Sequence, residues 1–147
     1  MTSMPPEARP DFPLPVPSED DAFFWEHLHA GELRIQHCTS CGRLQHPPRL
    51  LCAACGSTDR DWAPMSGRGT IYSFVVTHQA IHPSFEGHLP YVTVLVELEE
   101  GPRMASNLID VPLDEVAIGM AVQVDLVRVS DEITLPLFRR RAAGRTA

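Results

Sequence analysis

"HCTSCGRLQHPPRLLCAACGS", residues 37–57, decides the fold: it holds all 4 cysteines of the chain, as two Cys-x-x-Cys pairs separated by ten residues. Such a turn brings two sulfurs to the same side of the backbone, and four thiolates at about 2.3 Å satisfy a tetrahedral metal ion. Gly42 and Gly56 each follow the second cysteine of a pair, where a backbone without a Cβ turns tightly and aims N–H groups at the sulfurs. The pattern predicts a zinc ribbon with Cys38, Cys41, Cys52 and Cys55 as its ligands. With every coordination position filled by protein, none remains for water or substrate, so the Zn(II) is expected to be structural. An iron centre and a thiol redox pair answer to the same four thiols. His37 and His46 lie in or beside the module, and a complete sulfur set leaves them as surface histidines rather than ligands.

Toward the N-terminus, "ELRIQHC" (32–38) alternates, with Leu33 and Ile35 on one face and Arg34 and Gln36 on the other, which predicts a short strand running into Cys38. Before it, Ala22 to Ala30 read as a helix with Phe24 and Leu28 four apart. Ser18 is its expected cap, Glu19, Asp20 and Asp21 suit its dipole, and Gly31 is its stop. Phe23, Phe24 and Trp25 are consecutive, and on a helix of about 12 residues they cannot all face one core, so at least one is left for solvent or a partner. Residues 1–17 hold 6 of the 14 prolines and read as a disordered arm.

Toward the C-terminus the pattern is nearly all strand. "TIYSFVVTH" (70–78), "YVTVLVELE" (91–99), "RMASNLI" (103–109), "AVQVDLVRV" (121–129) and "ITLPLFRR" (133–140) are the expected strands, with "EEGPR" as a hairpin turn and "DVPLDEVAIGM" as a connection holding one helical turn. Five strands with one longer link between the third and fourth predict a small closed barrel, an OB-fold. The fold class is therefore mostly β: an N-terminal helix, a four-cysteine rubredoxin-like zinc ribbon and a five-stranded OB-fold barrel. The expected divisions are a proline-rich arm (1–17), the helix (18–31), the ribbon (32–63), the barrel (64–141) and a tail (142–147).

Charge and composition narrow the function. The chain carries 12 arginines, no lysine and a formal charge of -7, with Arg139-Arg140-Arg141 as its basic run, so a polyphosphate backbone is a poor partner. No stretch reaches the roughly 18 apolar residues of a membrane helix, and the N-terminus has no secretory pattern, which predicts a soluble, cytoplasmic protein. In that reducing compartment four close thiols point to metal or redox chemistry rather than to disulfides.

The stretches "FFWEHLHAGELRIQHC", "CTSCGRLQHPPRLLCAACGS", "SGRGTIYSFVVTH", "LPYVTVLVELEEGPRMASNL" and "IGMAVQVDLV" together resemble the acyl-CoA-associated zinc-ribbon plus OB-fold family known as domain-of-unknown-function family thirty-five. The resemblance covers about residues 19–140, with the ribbon spacing, "PPR" between the pairs and "GRGT" leading into the barrel all in order. One departure is Ala53, where the family usually has proline; proline would stiffen that turn but give nothing to the metal. The resemblance implies a small partner of thiolase-type enzymes, including sterol-carrier-protein-type thiolases acting as retro-aldolases, or of enoyl-CoA hydratases. It also implies a barrel that receives coenzyme A thioester or its pantetheine arm, and a ribbon and helix that help dock the partner. On that footing Arg68, His78, His82 and Arg103 are candidates for acyl-CoA binding, and Phe23, Phe24 and Trp25 for docking in a homo- or hetero-oligomer.

Other chemistry is thinly supplied. His82, Glu86 and His88 sit in one loop, "QAIHPSFEGHLP", but match no ligand motif, and Pro83 and Gly87 oppose a helix that would align them. "SGRG" lacks the lysine and the helix of a phosphate loop. Ser106 and Asn107 interrupt an apolar strand, where one of them is expected to face solvent. With no GxSxG and no spare cysteine, the chain reads as a non-catalytic or co-catalytic subunit. The competing expectation is a module for single-stranded nucleic acid, since ribbons and OB barrels also serve that purpose, with Tyr72 and Phe74 available for stacking.

Overall fold

The computed structural model describes residues 13–142. Most of the expected arm (1–17) and tail (142–147) therefore lies outside the described residues.

Helix α1 spans Ala22–His29 and is shorter than the sequence implies. Ser18 does not cap it. The Ser18 N–H and hydroxyl instead donate to Asp21 Oδ1 at 2.7 and 3.0 Å, and its carbonyl accepts the Ala22 N–H at 2.8 Å, forming a separate turn before the helix. Serine and aspartate compete with helical backbone in this way. Gly31, at φ +93, ends the helix as expected, its N–H returning to the Leu28 carbonyl at 3.0 Å. The helix buries Phe24 and Leu28.

Three antiparallel strands make the ribbon sheet: β1 (Arg34–Cys38), β2 (Leu44–Gln45) and β3 (Arg60–Pro64), in the order β2-β1-β3. Strand β1 is where alternation placed it. Its far face is not solvated, however: Gln36 is only 2% exposed because the chain between the cysteine pairs folds over it.

The barrel consists of β4 (Arg68–Thr77), β5 (Tyr91–Leu98), β6 (Arg103–Leu108), β7 (Ala121–Arg128) and β8 (Thr134–Arg140). Its order is β4-β5-β6-β8-β7, closed by β7 against β4, the OB arrangement anticipated. On β5, Val92, Val94, Val96 and Leu98 point inward and alternate with half-buried residues, so period-two patterning is translated directly into the core. A bulge between Ile71 and Ser73 bends β4 so that one strand pairs with both β5 and β7. At Gly69 this closure admits no side chain: a Cβ would lie 2.4 Å from the Glu97 carbonyl oxygen.

One apolar core joins the parts, running from Phe24 and Leu28 through Leu33 and Ile35 to Ile71, Val94, Met104, Val122 and Phe138. His29 Nδ1 lies 3.0 Å from Thr134 Oγ1, tying the end of α1 to β8. Among the described residues, no helix is long and apolar enough to cross a membrane.

The barrel is parted at one place. β6 and β8 run parallel and pair only at Leu108 and Phe138. Pro136 on β8 has no N–H to offer a neighbouring strand. The Ser106 hydroxyl bridges to the Pro136 carbonyl instead, and the divergence opens a cavity that α1 and the residues after β2 roof over.

Candidate functional site

The two cysteine pairs form matching knuckles. In the first, the Cys38 N–H donates to the Arg43 carbonyl and the Gly42 N–H to the Cys38 carbonyl; in the second, Cys52 and Ser57, then Gly56 and Cys52, repeat this at 2.8–2.9 Å. Gly42 (φ +82) and Gly56 (φ +76) take the left-handed conformation that lets each turn close. The four Sγ atoms lie within 4.8 Å of one another, with Cys38–Cys55 and Cys41–Cys52 at 3.6 Å. Sulfurs about 2.3 Å from a tetrahedral centre sit about 3.8 Å apart, so the set fits a single metal ion.

Electrostatics favours a cation there. The backbone N–H groups of Cys55 and Ala54 pull the Cys52 thiol down to about 6, and that of Cys41 lowers Cys38. Although the Arg43 and Ser57 N–H groups act in the same sense on Cys41 and Cys55, contact with the neighbouring sulfurs raises both, Cys55 to about 12. Four adjacent sulfurs cannot all ionise unless a positive charge is placed among them.

Polar side chains under the knuckles hold their shape. Gln45 accepts the Ala53 N–H at 2.8 Å, and Gln36 accepts the Arg49 N–H at 2.7 Å. Arg60 reaches the carbonyls of Asp20 and Arg49 and the Gln36 amide oxygen, with its guanidinium 5.3 Å from the Trp62 ring centre. These residues carried no motif in the sequence.

His37 is a surface residue, as expected, paired with Asp61 at 2.7 Å. His46 is not: its ring lies 5.0 Å from that of Phe24, burial lowers its pKa to about 4, and its Nδ1 is enclosed without a hydrogen-bond partner. The sequence reading missed this because helix and barrel cover it only in three dimensions. His46 lies between two hollows on the seam of ribbon and barrel. One is the cavity of about 290 Å³ bounded by α1, Pro47–Pro48, β6 and β8. The other, about 580 Å³, is an open polar cleft between the first knuckle and the β5–β6 hairpin, lined by Arg43, Glu97, Glu100 and Arg103.

The remaining candidates are scattered. Phe23 is 51% exposed beside Trp62, Phe24 is buried, and Trp25 lines the smaller cavity, so the three aromatics part company as helical geometry requires. Arg68 pairs with Glu99 at 3.0 Å, while Arg103 pairs with Glu97 at 2.9 Å and lies 3.7 Å from the Tyr72 ring centre. His78 and His82 are exposed, and His82 bonds Ser84 at 2.7 Å within its own 3-10 turn. Among the described residues, no group of metal-capable side chains other than the four cysteines comes together, so His82, Glu86 and His88 do not form a second centre. Ser106 and Asn107 are both half-buried rather than solvated, and Asn107 Nδ2 donates to the Val92 carbonyl at 3.1 Å. The basic run is neutralised: Arg139 pairs with Asp110 and Asp125, Arg140 with Glu115 and Arg141 with Glu99.

A two-knuckle ribbon fused through one core to an OB barrel defines a class of ribbon–barrel proteins. Residues 25–60 match the model of the ChsH2 rubredoxin-like zinc ribbon domain and residues 62–127 that of the ChsH2 C-terminal OB-fold domain. The chain belongs to the DUF35 family. It is 33% identical over 110 residues to a DUF35 domain-containing scaffold protein of Methanocaldococcus jannaschii, covering 74% of this chain and 77% of that one. It is 43% identical over 127 residues to a probable enoyl-CoA hydratase alpha subunit of Thermomonospora curvata, covering 86% of this chain but only 39% of the relative's length. A solved chain of the Ltp2-ChsH2(DUF35) aldolase superposes with a TM-score of 0.79 at 42% identity, over 86% of this chain and 98% of that one.

Proposed function

We propose that the chain is an accessory subunit of an acyl-CoA enzyme, either an enoyl-CoA hydratase or a thiolase-type aldolase, and performs no bond-making of its own. The observation that carries this is the closed four-sulfur site. A metal held by four cysteines has no position for substrate, and among the described residues no second group of metal-capable side chains comes together. Relatives named as a hydratase alpha subunit and as part of an aldolase support the class of partner.

In this reading the ion is Zn(II), held by Cys38, Cys41, Cys52 and Cys55, and contributes to folding on the order of 10 kcal/mol. The partner docks over the exposed Phe23 beside the ribbon, where an aromatic side chain has area to bury. The assembly works on a coenzyme A thioester in the cytoplasm. Arg68 and Arg103 hold its phosphates after exchanging their carboxylate partners, and His78 and His82 flank the approach. The test is to isolate the tagged full-length chain from its own cells and identify what accompanies it. An acyl-CoA hydratase or thiolase-type enzyme in fixed ratio, losing activity when the chain is withdrawn, is the expected result. A lone chain whose removal leaves every such activity unchanged overturns the proposal.

A further inference from the structure

The ribbon sheet ends in an edge that the fold leaves open. Along β1 the backbone units alternate in direction: the Thr39 N–H that follows it donates to the Asp59 carbonyl at 3.1 Å on the β3 side, and the Cys38 N–H to the Arg43 carbonyl at 2.9 Å on the β2 side. In an antiparallel ladder that alternation fixes the direction of the partner's groups as well. Gln45, opposite Gln36, points its N–H and carbonyl inward, so Leu44, opposite His37, points both away from the sheet. Among the described residues neither of these Leu44 groups has a hydrogen-bond partner. The opposite edge is blunted, since the Trp62 carbonyl accepts from Arg34 at 3.0 Å and Pro64 has no N–H.

The open edge borders the polar cleft of about 580 Å³, which residues 42–46 line in unbroken succession on one side and the β5–β6 turn lines on the other. From Arg43 to His46 the wall runs about 10 Å, room alongside it for about four residues of an added strand. The charges lining the cleft are not all used. Arg103 is paired with Glu97 at 2.9 Å, whereas neither Arg43 nor Glu100 belongs to an ion pair among the described residues, Glu100 accepting the Ser66 N–H at 2.8 Å. We propose that β2 is a strand-addition site: an extended segment of a partner protein lies in the cleft, pairs its backbone with Leu44, and sets an acidic side chain on Arg43 and a basic one on Glu100. In such binding the main chain supplies affinity and the side chains supply choice. A second copy of this chain is a poor occupant, because its own β5–β6 turn stands in front of its β2 edge. The N-terminal stretch is another, since 6 of residues 1–17 are prolines, which offer no N–H to a ladder. The proposal does not depend on which enzyme the chain accompanies, and it adds a contact distinct from the exposed Phe23.

The experiment uses the metal-loaded full chain, isotopically labelled for NMR. The probe is an acetylated, amidated octapeptide of alternating valine and threonine, with one threonine replaced by glutamate and another by arginine. Without peptide, the Leu44 amide should exchange rapidly while that of Gln45, paired to Gln36, is protected. Saturating peptide should slow exchange at Leu44 by about tenfold or more and leave Gln45 unchanged. An analogue N-methylated at its central amides, which cannot donate to a ladder, should not bind. Arg43→Glu should weaken binding by about tenfold, and exchanging the peptide's glutamate for arginine should recover it in that variant. Leu44→Pro, which removes an N–H that β1 does not use, should abolish binding. Circular dichroism and metal content are checked in each variant, and if Leu44→Pro does not fold, the N-methylated analogue supplies the same test. No peptide binding, a Leu44 amide unaffected by bound peptide, equal binding of the N-methylated analogue, or binding indifferent to Arg43→Glu overturns the proposal. So does a Leu44 amide already protected in the free chain: protection lost on dilution identifies a second copy as the occupant, and protection lost on deleting residues 1–12 identifies the chain's own N-terminal stretch.

Discussion

His46 shows how a single residue links packing to pH. Folded, it is neutral because burial holds its pKa at about 4; unfolded, it takes up a proton below its ordinary 6.5. The stability gained by keeping it neutral is therefore whole above 6.5 and is lost as the pH falls from there through about 4, a change of about 3 kcal/mol. His46→Phe should flatten that part of the profile, as read from urea midpoints on either side of pH 6.5; an unchanged slope would place the sensitivity elsewhere. Gly69 makes a steric prediction. Its missing Cβ would meet the Glu97 carbonyl oxygen at 2.4 Å, so Gly69→Ala should cost about 1–3 kcal/mol in thermal or chemical denaturation, although the position lies in a strand where alanine is otherwise tolerated. Neither residue announces its role in the sequence. His46 lies between the cysteine pairs like any loop histidine, and Gln36 occupies a nominally outward position on β1; Gln36 is buried and His46 half-buried by chain that is distant or irregular, which periodicity does not register.

At the scale of elements, legibility follows how local the cause is. The four cysteines and two glycines specify their knuckles through bonds spanning only a few residues, and β5 specifies its barrel face through alternation. Strand β2, two residues long, and β3, with Pro64 at its end, have too little pattern to be seen; they exist because β1 offers both edges for pairing. The helix was legible, but its start was not, because Ser18 and Asp21 satisfy each other instead of capping it. Helix α1 contributes by packing rather than by its length of 8 residues, so Leu28→Ala, which removes a side chain 1% exposed, should destabilise the protein by about 2–5 kcal/mol. Cys52→Ser should reduce bound metal well below one ion per chain and abolish protection of the β1–β3 amides from hydrogen exchange. Full protection in a metal-free Cys52→Ser protein would contradict a folding role for the ion.

Across the whole molecule, the ribbon and barrel share a core but leave a seam, and both sizeable hollows described above open on that seam rather than inside the barrel bore. The sequence identified the parts and their family but not the seam, whose smaller cavity lies where β6 diverges from β8 beside Pro136, a consequence of topology. The same pairing of charges that steadies the surface argues against nucleic acid: with Arg139, Arg140 and Arg141 each facing carboxylates, a short single-stranded DNA or RNA should show no salt-dependent binding in fluorescence anisotropy. The central claim is that the tetrathiolate ion builds the subunit without entering the chemistry of its partner. The most direct test is to replace the native ion by Cd(II) in the intact assembly and measure turnover of the acyl-CoA substrate. Expected is one metal per chain, a cadmium–thiolate absorption band and unchanged turnover; a turnover altered by about tenfold or more, with the assembly still intact, would make the metal a participant and contradict it.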